Sequence, residues 1–187
     1  MVASITTDQT ADKREEVYLA GGCFWGMQDI LRNIPGVIET DVGYTGGHAR
    51  NATYRRHDGH AEAVRVVFDP ERLPFELLLR WFFRMHDPTT KDRQGYDAGL
   101  SYRSAIFYKT EDQKRIAEEF IERLNTHGEW GAPIVTEVAP AGDYWKAEEE
   151  HQDYLLKRPG GYTCHFLRPE SVLGPELAAR EAKAAGG

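Results

Sequence analysis

The stretch VYLAGGCFWGMQDILRNIPGVIETDVGYTGG, residues 17–47, contains the pattern that decides the fold. The short apolar run Val17–Ala20 ends at two glycines and predicts a strand that enters a tight turn. Residues 23–33 then predict a helix, which the pair Pro35-Gly36 stops. A second strand is predicted over residues 37–44, before a glycine-rich turn. This stretch therefore predicts a strand–helix–strand unit.

The rest of the chain continues the alternation of strands and helices. We predict further strands over residues 61–68, 103–109 and 134–139, and helices over residues 74–86, 111–125 and 146–157. Two long loops, residues 45–59 and 86–102, lie between these elements, and loops of this length are usually functional. From Arg158 onward the chain is rich in Gly and Pro and predicted to be irregular. The alternation indicates a single domain of the α/β or α+β class.

The composition excludes several classes of protein. A chain of 187 residues with 41% hydrophobic and 28% charged residues is ordinary for a globular protein, so disorder is not its main state. Its net charge of −7 argues against a general binder of nucleic-acid phosphates. No apolar run reaches the roughly 20 residues that span a bilayer, and no apolar signal region opens the sequence. We therefore expect a soluble, cytoplasmic protein without nucleic-acid or membrane partners.

The chain has two cysteines, Cys23 and Cys164, and neither belongs to a C-x-x-C unit. In a cytosolic protein such thiols are more often catalytic or redox-active than structural. Cys23 follows two glycines at a predicted helix start, where the helix dipole favours a thiolate at neutral pH and glycine permits close approach of a substrate. Cys164 lies on a glycine-flanked segment, which suits a resolving thiol. The alternatives are a small buried hydrophobe at Cys23 and an idle surface thiol at Cys164.

Glu62 is the most informative charged residue. In the strand predicted over residues 61–68 it shares its face with Val64, Val66 and Phe68, whereas Arg65 points the other way. Burial on the apolar face would raise the pKa of Glu62 and keep it protonated as a general acid. The alternative is that Glu62 lies at the strand end and reaches water.

Four aromatic residues are further candidates for the site. Phe24 and Trp25 follow the cysteine directly and could line a pocket for a small apolar group such as a methyl, although core packing is the alternative. Tyr44 and Tyr102 lie at junctions of strands and loops, where their phenols are available as hydrogen-bond donors.

The sequence does not favour a metal site. The triplet His60-Ala61-Glu62 matches half of a zinc deaminase motif, but the P-C-x-x-C that supplies the other ligands is missing. The pair Cys164-His165 likewise lacks partners at a ligand spacing. We therefore expect no metal.

The run GCFWG, residues 22–26, resembles the signature of the A-type peptide methionine sulfoxide reductases, and six further blocks resemble that family in the same order. They are GYTGG (43–47), HAEAVRVVFDP (60–70), HDPTTKDRQG (86–95), SYRSAIF (101–107), EHQDYL (150–155) and GYTC (161–164). The resemblance implies an α+β fold, a two-layer α/β sandwich related to the ferredoxin-like plait, with long loops and a coiled C-terminal segment. It also implies one catalytic domain over residues 1–187, with a core at about 17–168 and mobile tails at 1–16 and 169–187.

The resemblance also implies the reaction, which is reduction of the S epimer of methionine sulfoxide, free or in peptides, as antioxidant repair of proteins. The family's roles fall on eight residues: Cys23 as the nucleophile, Glu62 as the acid that protonates the departing oxygen, Tyr44 and Tyr102 as donors to that oxygen, Phe24 and Trp25 around the ε-methyl group, Asp97 as an ordering carboxylate, and Cys164 as the thiol that forms a disulfide with oxidised Cys23. Thioredoxin, or dithiothreitol in vitro, would reduce that disulfide, and the implied cycle needs neither a metal nor a bound organic cofactor. We further expect a monomer.

Two features depart from the family pattern. Some members carry two recycling cysteines near the C-terminus, whereas here Cys164 is alone; and Tyr96 replaces the Asn that often precedes the acidic position. Two other functions stay open. A cysteine hydrolase would need a histidine base directed at Cys23, and a redox-responsive binding module would need neither a pocket acid nor an aromatic cage.

Overall fold

The computed structural model of the chain describes residues 13–175. Its strands are β1 (Glu15–Gly21), β2 (Val37–Thr45), β3 (Ala61–Phe68), β4 (Arg93–Gln94), β5 (Asp97–Ala98), β6 (Ser104–Tyr108), β7 (Glu137–Pro140) and β8 (Tyr144–Lys146). Its helices are α1 (Phe24–Leu31), α2 (Phe75–Met85), α3 (Glu111–His127) and α4 (Tyr154–Lys157), with 3-10 turns at Leu100–Tyr102, Glu149–His151 and Glu170–Leu173.

Six of these strands form one mixed sheet in the order β7-β6-β1-β3-β2-β8. Strand β1 is antiparallel to β3 and β6, β2 is antiparallel to β3 and β8, and only the edge strand β7 runs parallel to its neighbour. The chain passes through β1, α1, β2, β3, α2 and β6, so that β3 lies between β1 and β2 in a split β-α-β arrangement. The α+β class predicted from the family resemblance is confirmed.

The larger core lies between one face of the sheet and helices α1, α2 and α3. Val64, Val66 and Phe68 of β3 are fully buried on this face, as the alternation predicts. Phe83 of α2 stacks on Phe120 of α3 with ring centroids 5.4 Å apart, which holds these two helices together. The opposite face has a smaller cluster made mainly of alanines and aromatic rings.

The predicted helix over residues 146–157 is wrong, because tertiary contacts hold this segment in β8, a 3-10 turn and a four-residue helix. The side chain of Gln152 accepts a hydrogen bond from the Val42 amide and donates one to the Val42 carbonyl, both at 2.9 Å. Asp153 then adopts a left-handed conformation with φ of 51°, and its amide donates to the side chain of Gln28. Gln152 thus takes the place of a strand partner beside β2, which a helix could not do.

The core also extends beyond the predicted bounds of residues 17–168. Glu15 and Glu16 belong to β1, and Leu173 is fully buried against the core because the last 3-10 turn packs on α2. The remaining parts of the tails predicted to be mobile, residues 1–12 and 176–187, lie outside the described residues. Among residues 13–175, no helix has the length and apolar character needed to cross a membrane.

We expect Gln152→Leu to lower the free energy of unfolding by about 2 kcal/mol, because the buried Val42 amide would lose its partner. Urea denaturation would measure this loss. Glu149→Leu in the same segment is the control, since Glu149 is exposed and its ion pair with Lys157 should contribute little. Equal stability of both variants would contradict the role given to Gln152.

Candidate active site

Cys23 lies between the end of β1 and the first turn of α1, in a turn that only glycine can build. Gly22 has a φ of +100°, and a Cβ placed on it would lie 2.6 Å from the side chain of Gln94. A Cβ on Gly26 would collide with Thr163 and His165 of the C-terminal segment. We predicted that the two glycines before Cys23 permit close approach of a substrate. At Gly22 the protein itself makes this approach, and together with Gly26 it packs two distant segments around Cys23.

Glu62 is placed beside this turn by the pleat of β3. Its side chain is only 2% exposed, which removes the alternative of a strand end in water. Its Oε1 accepts a hydrogen bond from the Phe24 amide at 3.1 Å. Phe24 is the first residue of α1, and the preceding Cys23 offers no side-chain cap to the helix. The carboxyl group from β3 therefore satisfies one of the amides that the helix start leaves unpaired.

Burial raises the pKa of Glu62 from its ordinary value of 4.5 to about 7, and the charge of Asp97 acts in the same direction. The Phe24 amide opposes this shift because it stabilises the carboxylate. The increase agrees with the prediction from strand alternation. A carboxyl group with this pKa is available both as an acid and as a base near neutral pH.

The pKa of the Cys23 thiol moves in the direction opposite to our prediction. Burial raises it to about 12, and the charges of Glu62 and Asp97 raise it further. The amides of Trp25 and Gly26 at the helix start do lower it, as predicted, but their effect is smaller. The predicted thiolate at neutral pH is therefore wrong for this state, because desolvation and two carboxylates outweigh the helix dipole.

Two tyrosines lie close to the carboxyl group of Glu62. Tyr44 stands directly opposite Glu62 in the pairing of β2 with β3, and its hydroxyl donates to Glu148 Oε1 at 3.0 Å. Tyr102 closes the 3-10 turn before β6. Burial raises the pKa of both phenols, and the charge of Glu62 raises it further, so both hydroxyls keep their protons.

The two aromatic residues after the cysteine differ in exposure. Phe24 has no exposed surface and packs against Tyr44 and His151 with ring centroids 5.7 and 5.6 Å away. Trp25 is half-buried, stacks on Tyr154 at 3.8 Å, and donates its indole N–H to His151 Nδ1 at 3.1 Å. Trp25 therefore offers surface to a ligand, whereas Phe24 supports the rings beneath it.

Asp97 lies on the small hairpin of β4 and β5, next to the C-terminal segment. Its Oδ2 accepts from the Tyr162 hydroxyl at 3.3 Å and lies 3.9 Å from Cys164 Sγ. The charge of Asp97 raises the pKa of both Cys23 and Cys164, and both are free thiols. The fold thus brings the two cysteines to the same carboxylate.

Sequence reasoning missed part of the site. Glu148 accepts hydrogen bonds from the Tyr44 hydroxyl and from the Tyr54 amide at 3.1 Å. The Tyr54 ring stacks on His151 with centroids 4.4 Å apart. The block EHQDYL contains His151 and Tyr154, but helical periodicity concealed their role. Tyr54 lies in a loop without periodicity, so no local signal identifies it.

Two places could hold a metal ion, namely His60 and the group of Glu148, Glu150 and His151. Both ring nitrogens of His60 are occupied, because Nδ1 accepts from the Gly47 amide and Nε2 lies 2.7 Å from the Ala49 carbonyl. Within the described part of the chain, ligand atoms of Glu148, Glu150 and His151 also lie within 4.8 Å of one another. The indole of Trp25 can only donate, so His151 carries its proton on Nε2 and has no lone pair there for a cation.

Comparison with known proteins places this geometry in a family. The family model described as peptide methionine sulfoxide reductase matches residues 15–174. The peptide methionine sulfoxide reductase MsrA of Nitrobacter winogradskyi is 59% identical over 172 residues, which cover 92% of this chain and 96% of that protein. The crystal structure of reduced Mxr1 from Saccharomyces cerevisiae aligns with this chain at 33% identity and a TM-score of 0.75. The alignment covers 85% of this chain and 94% of the Mxr1 chain. Mxr1 in complex with Trx2 matches at 25% identity and a TM-score of 0.55, over 88% and 96% of the two chains.

The raised pKa of Glu62 predicts a pH-dependent loss of stability. Below about pH 4.5 both folded and unfolded chains hold the proton, whereas above about pH 7 both release it. Between these values only the folded chain keeps it, so stability falls as the pH rises. Relative to Glu62→Gln, the wild type should lose about 3 kcal/mol of unfolding free energy across this window.

Urea denaturation of both proteins from about pH 4 to about pH 8.5 would measure that difference. Glu39→Gln, which changes an exposed carboxylate, is the control and should keep the decline of the wild type. A parallel pH profile for wild type and Glu62→Gln would show that Glu62 does not titrate in this range.

Proposed function

The chain belongs to the peptide methionine sulfoxide reductase family, and we propose that Cys23 and Glu62 are the nucleophile and the acid of its reaction. It is an oxidoreductase that reduces methionine sulfoxide with thiols as the electron source. One contact carries the assignment of roles. Glu62 accepts a hydrogen bond from the amide of Phe24, the residue next to Cys23, and the pKa of Glu62 is raised to about 7. An acid and a thiol are thus held at the start of the same helix.

In the first step the Cys23 sulfur attacks the sulfoxide sulfur while Glu62 gives its proton to the sulfoxide oxygen. The bond between the two sulfurs then breaks as the hydroxyl moves from the substrate sulfur to the Cys23 sulfur, so that methionine leaves and Cys23 becomes a sulfenic acid, while the thiol proton of Cys23 restores Glu62. While Glu62 is protonated, the charge that raises the pKa of Cys23 is absent, so the thiol loses its proton more readily in the state in which the acid is ready to donate. We assign Tyr44 and Tyr102 as donors to the sulfoxide oxygen, because their phenols keep their protons near Glu62, and the Tyr44 hydroxyl would turn from Glu148 to the substrate to do so.

In the second step Cys164 attacks the sulfenic acid of Cys23, which forms a disulfide and releases water. The position of Cys164 beside Asp97 supports this role, since the same carboxylate acts on Cys23. A thioredoxin then reduces the disulfide, as the complex of Mxr1 with Trx2 suggests. Dithiothreitol would replace it in vitro. This cycle uses only protein thiols, so we propose that no metal or bound organic cofactor takes part.

The substrate we propose is the S epimer of methionine sulfoxide, free or within a protein. Trp25 would enclose its ε-methyl group from the exposed side, with Phe24 beneath it. Asp97 would order the site through its bonds to the C-terminal segment. The biological role would be antioxidant repair by a cytoplasmic monomer.

The reaction is tested by supplying each sulfur epimer of a peptide methionine sulfoxide with dithiothreitol as reductant. We expect the wild type to consume only the S epimer, and Cys23→Ser to lose turnover by at least about 10³-fold, because a serine hydroxyl is a far poorer nucleophile. Chromatography of the product would follow the reaction. Consumption of the R epimer, or turnover by Cys23→Ser, would disprove the assignment.

The resolving role of Cys164 predicts a different result for Cys164→Ser. This variant should release one methionine per enzyme in a burst and then stop when thioredoxin is the reductant, because the sulfenic acid has no internal thiol to meet. Small thiols should restore turnover. Sustained turnover with thioredoxin would contradict the assignment, and loss of the burst would place Cys164 in the first step.

A further inference from the structure

Among the buried histidines that the mechanism above does not use, His165 is the one that contacts the resolving cysteine. His165 follows Cys164 and is only 9% exposed. Its Nε2 lies 2.7 Å from the carbonyl of Gly21, and its Nδ1 lies 3.8 Å from Cys164 Sγ. One imidazole therefore joins the turn before Cys23 to the second thiol.

The contact with Gly21 fixes the tautomer of this imidazole. A carbonyl oxygen can only accept, so Nε2 carries the proton and donates it. In the neutral ring Nδ1 then has a free lone pair, which faces the Cys164 thiol. The thiol also lies 3.9 Å from Asp97 Oδ2, which accepts the hydroxyl of Tyr162 as well, so Nδ1 is the nearer of the two acceptors beside Cys164.

The packing shows that this position is built into the fold. A Cβ on Gly26 would collide with His165, and a Cβ on Gly22 would lie 3.2 Å from its Nε2. The glycines of the GCFWG run therefore make room for this ring as well as for the backbone turn. An imidazole anchored through Nε2 to the Gly21 carbonyl, with glycine beneath it, keeps its orientation while Cys164 reacts.

We propose that His165 is the general base of the resolving step, and that it accepts the proton of Cys164 through Nδ1 while Gly21 holds the ring. This inference rests on the proposed function, because it needs the sulfenic acid on Cys23. The orientation of the ring assigns the role to Nδ1 and the anchoring to Nε2.

The proposed step balances. The Cys164 sulfur bonds to the Cys23 sulfur, the S–O bond of the sulfenic acid breaks, and the Cys164 proton moves to Nδ1. The departing oxygen takes that proton from the imidazolium of His165 and leaves as water, which returns the imidazole to its neutral form. The Cys164 sulfur is oxidised and the Cys23 sulfur is reduced, so no further oxidant or reductant is needed.

The surroundings of His165 determine how the step depends on pH. The groups that face the ring are Cys164, Asp97, Arg168 and His86. Burial lowers the pKa of His165, and the positive charge of Arg168 adds to this, whereas Asp97 opposes it. Nδ1 is therefore unprotonated at neutral pH, and the resolving step should slow when the pH falls below the pKa of His165.

Two substitutions separate the base from the anchor. The amide nitrogen of Gln can occupy the place of Nε2 and keep the bond to Gly21, but it leaves no base near Cys164. The side chain of Asn ends near Nδ1 and loses the bond to Gly21. His48→Gln, at an exposed histidine, is the matched control.

The experiment mixes reduced enzyme with one equivalent of peptide methionine S-sulfoxide and follows methionine release and thiol loss in the same sample. We expect His165→Gln to release the first methionine at the rate of the control, and to form the disulfide about 10²-fold more slowly at pH 7. In His165→Gln, the decrease in the rate of disulfide formation at low pH should also disappear. Added imidazole should partly restore the rate.

Three outcomes would overturn the proposal: an unchanged rate of disulfide formation in His165→Gln, a slow rate only in His165→Asn, or a slow rate in His165→Gln with the wild-type decrease at low pH intact. The second outcome would reduce His165 to an anchor. Absence of methionine release from the wild type would instead disprove the proposed function. A circular dichroism spectrum identical to that of the wild type ensures that each variant is folded.

Discussion

The site depends on the hydrogen bond from the Phe24 amide to Oε1 of Glu62, which joins the start of α1 to the middle of the sheet. A helix leaves its first amides unpaired, and Cys23 supplies no side-chain cap. Glu62 provides the acceptor from β3, but it must be buried to do so, and burial raises its pKa. One contact therefore fixes the direction of the helix, the position of the thiol and the acidity of the carboxyl group.

The second constraint is the absence of a Cβ atom at Gly22 and Gly26, the glycines that flank the Cys23 turn. Because Gly22 and Gly26 have no Cβ, Gln94 and the segment that carries Thr163 and His165 can reach the turn from opposite parts of the sequence. The C-terminal segment has little regular secondary structure, so these contacts largely hold it in place. Because these glycines leave the space beside the turn free, the segment that carries both the Cys164 thiol and the His165 imidazole can pack there.

The charges near Cys23 do not favour the thiolate form that is expected of a reactive cysteine at a helix start. A helix start lowers the pKa of a thiol, yet burial and the charge of Glu62 raise that of Cys23 to about 12. Since the pKa of Glu62 is about 7, the carboxyl group changes its charge first as the pH varies. The pKa of the thiol is thus highest while Glu62 is ionised and falls when Glu62 is protonated, although burial still raises it, and this links attack to the presence of the acid. An unreactive resting thiol is also protected from oxidation.

The sequence by itself determined what depends on local geometry or on a motif. The two-residue period of a strand placed Glu62 on the buried face, and the blocks around GCFWG identified the family and the α+β fold. The bounds of β3 and the existence of α1, α2 and α3 followed from periodicity. Only the tertiary structure decided the pKa of Cys23, the non-helical path around Gln152, and the places of Tyr54 and Glu148. Each of these depends on a partner far away in the chain, and neither periodicity nor a local motif encodes desolvation or a hydrogen bond between distant residues.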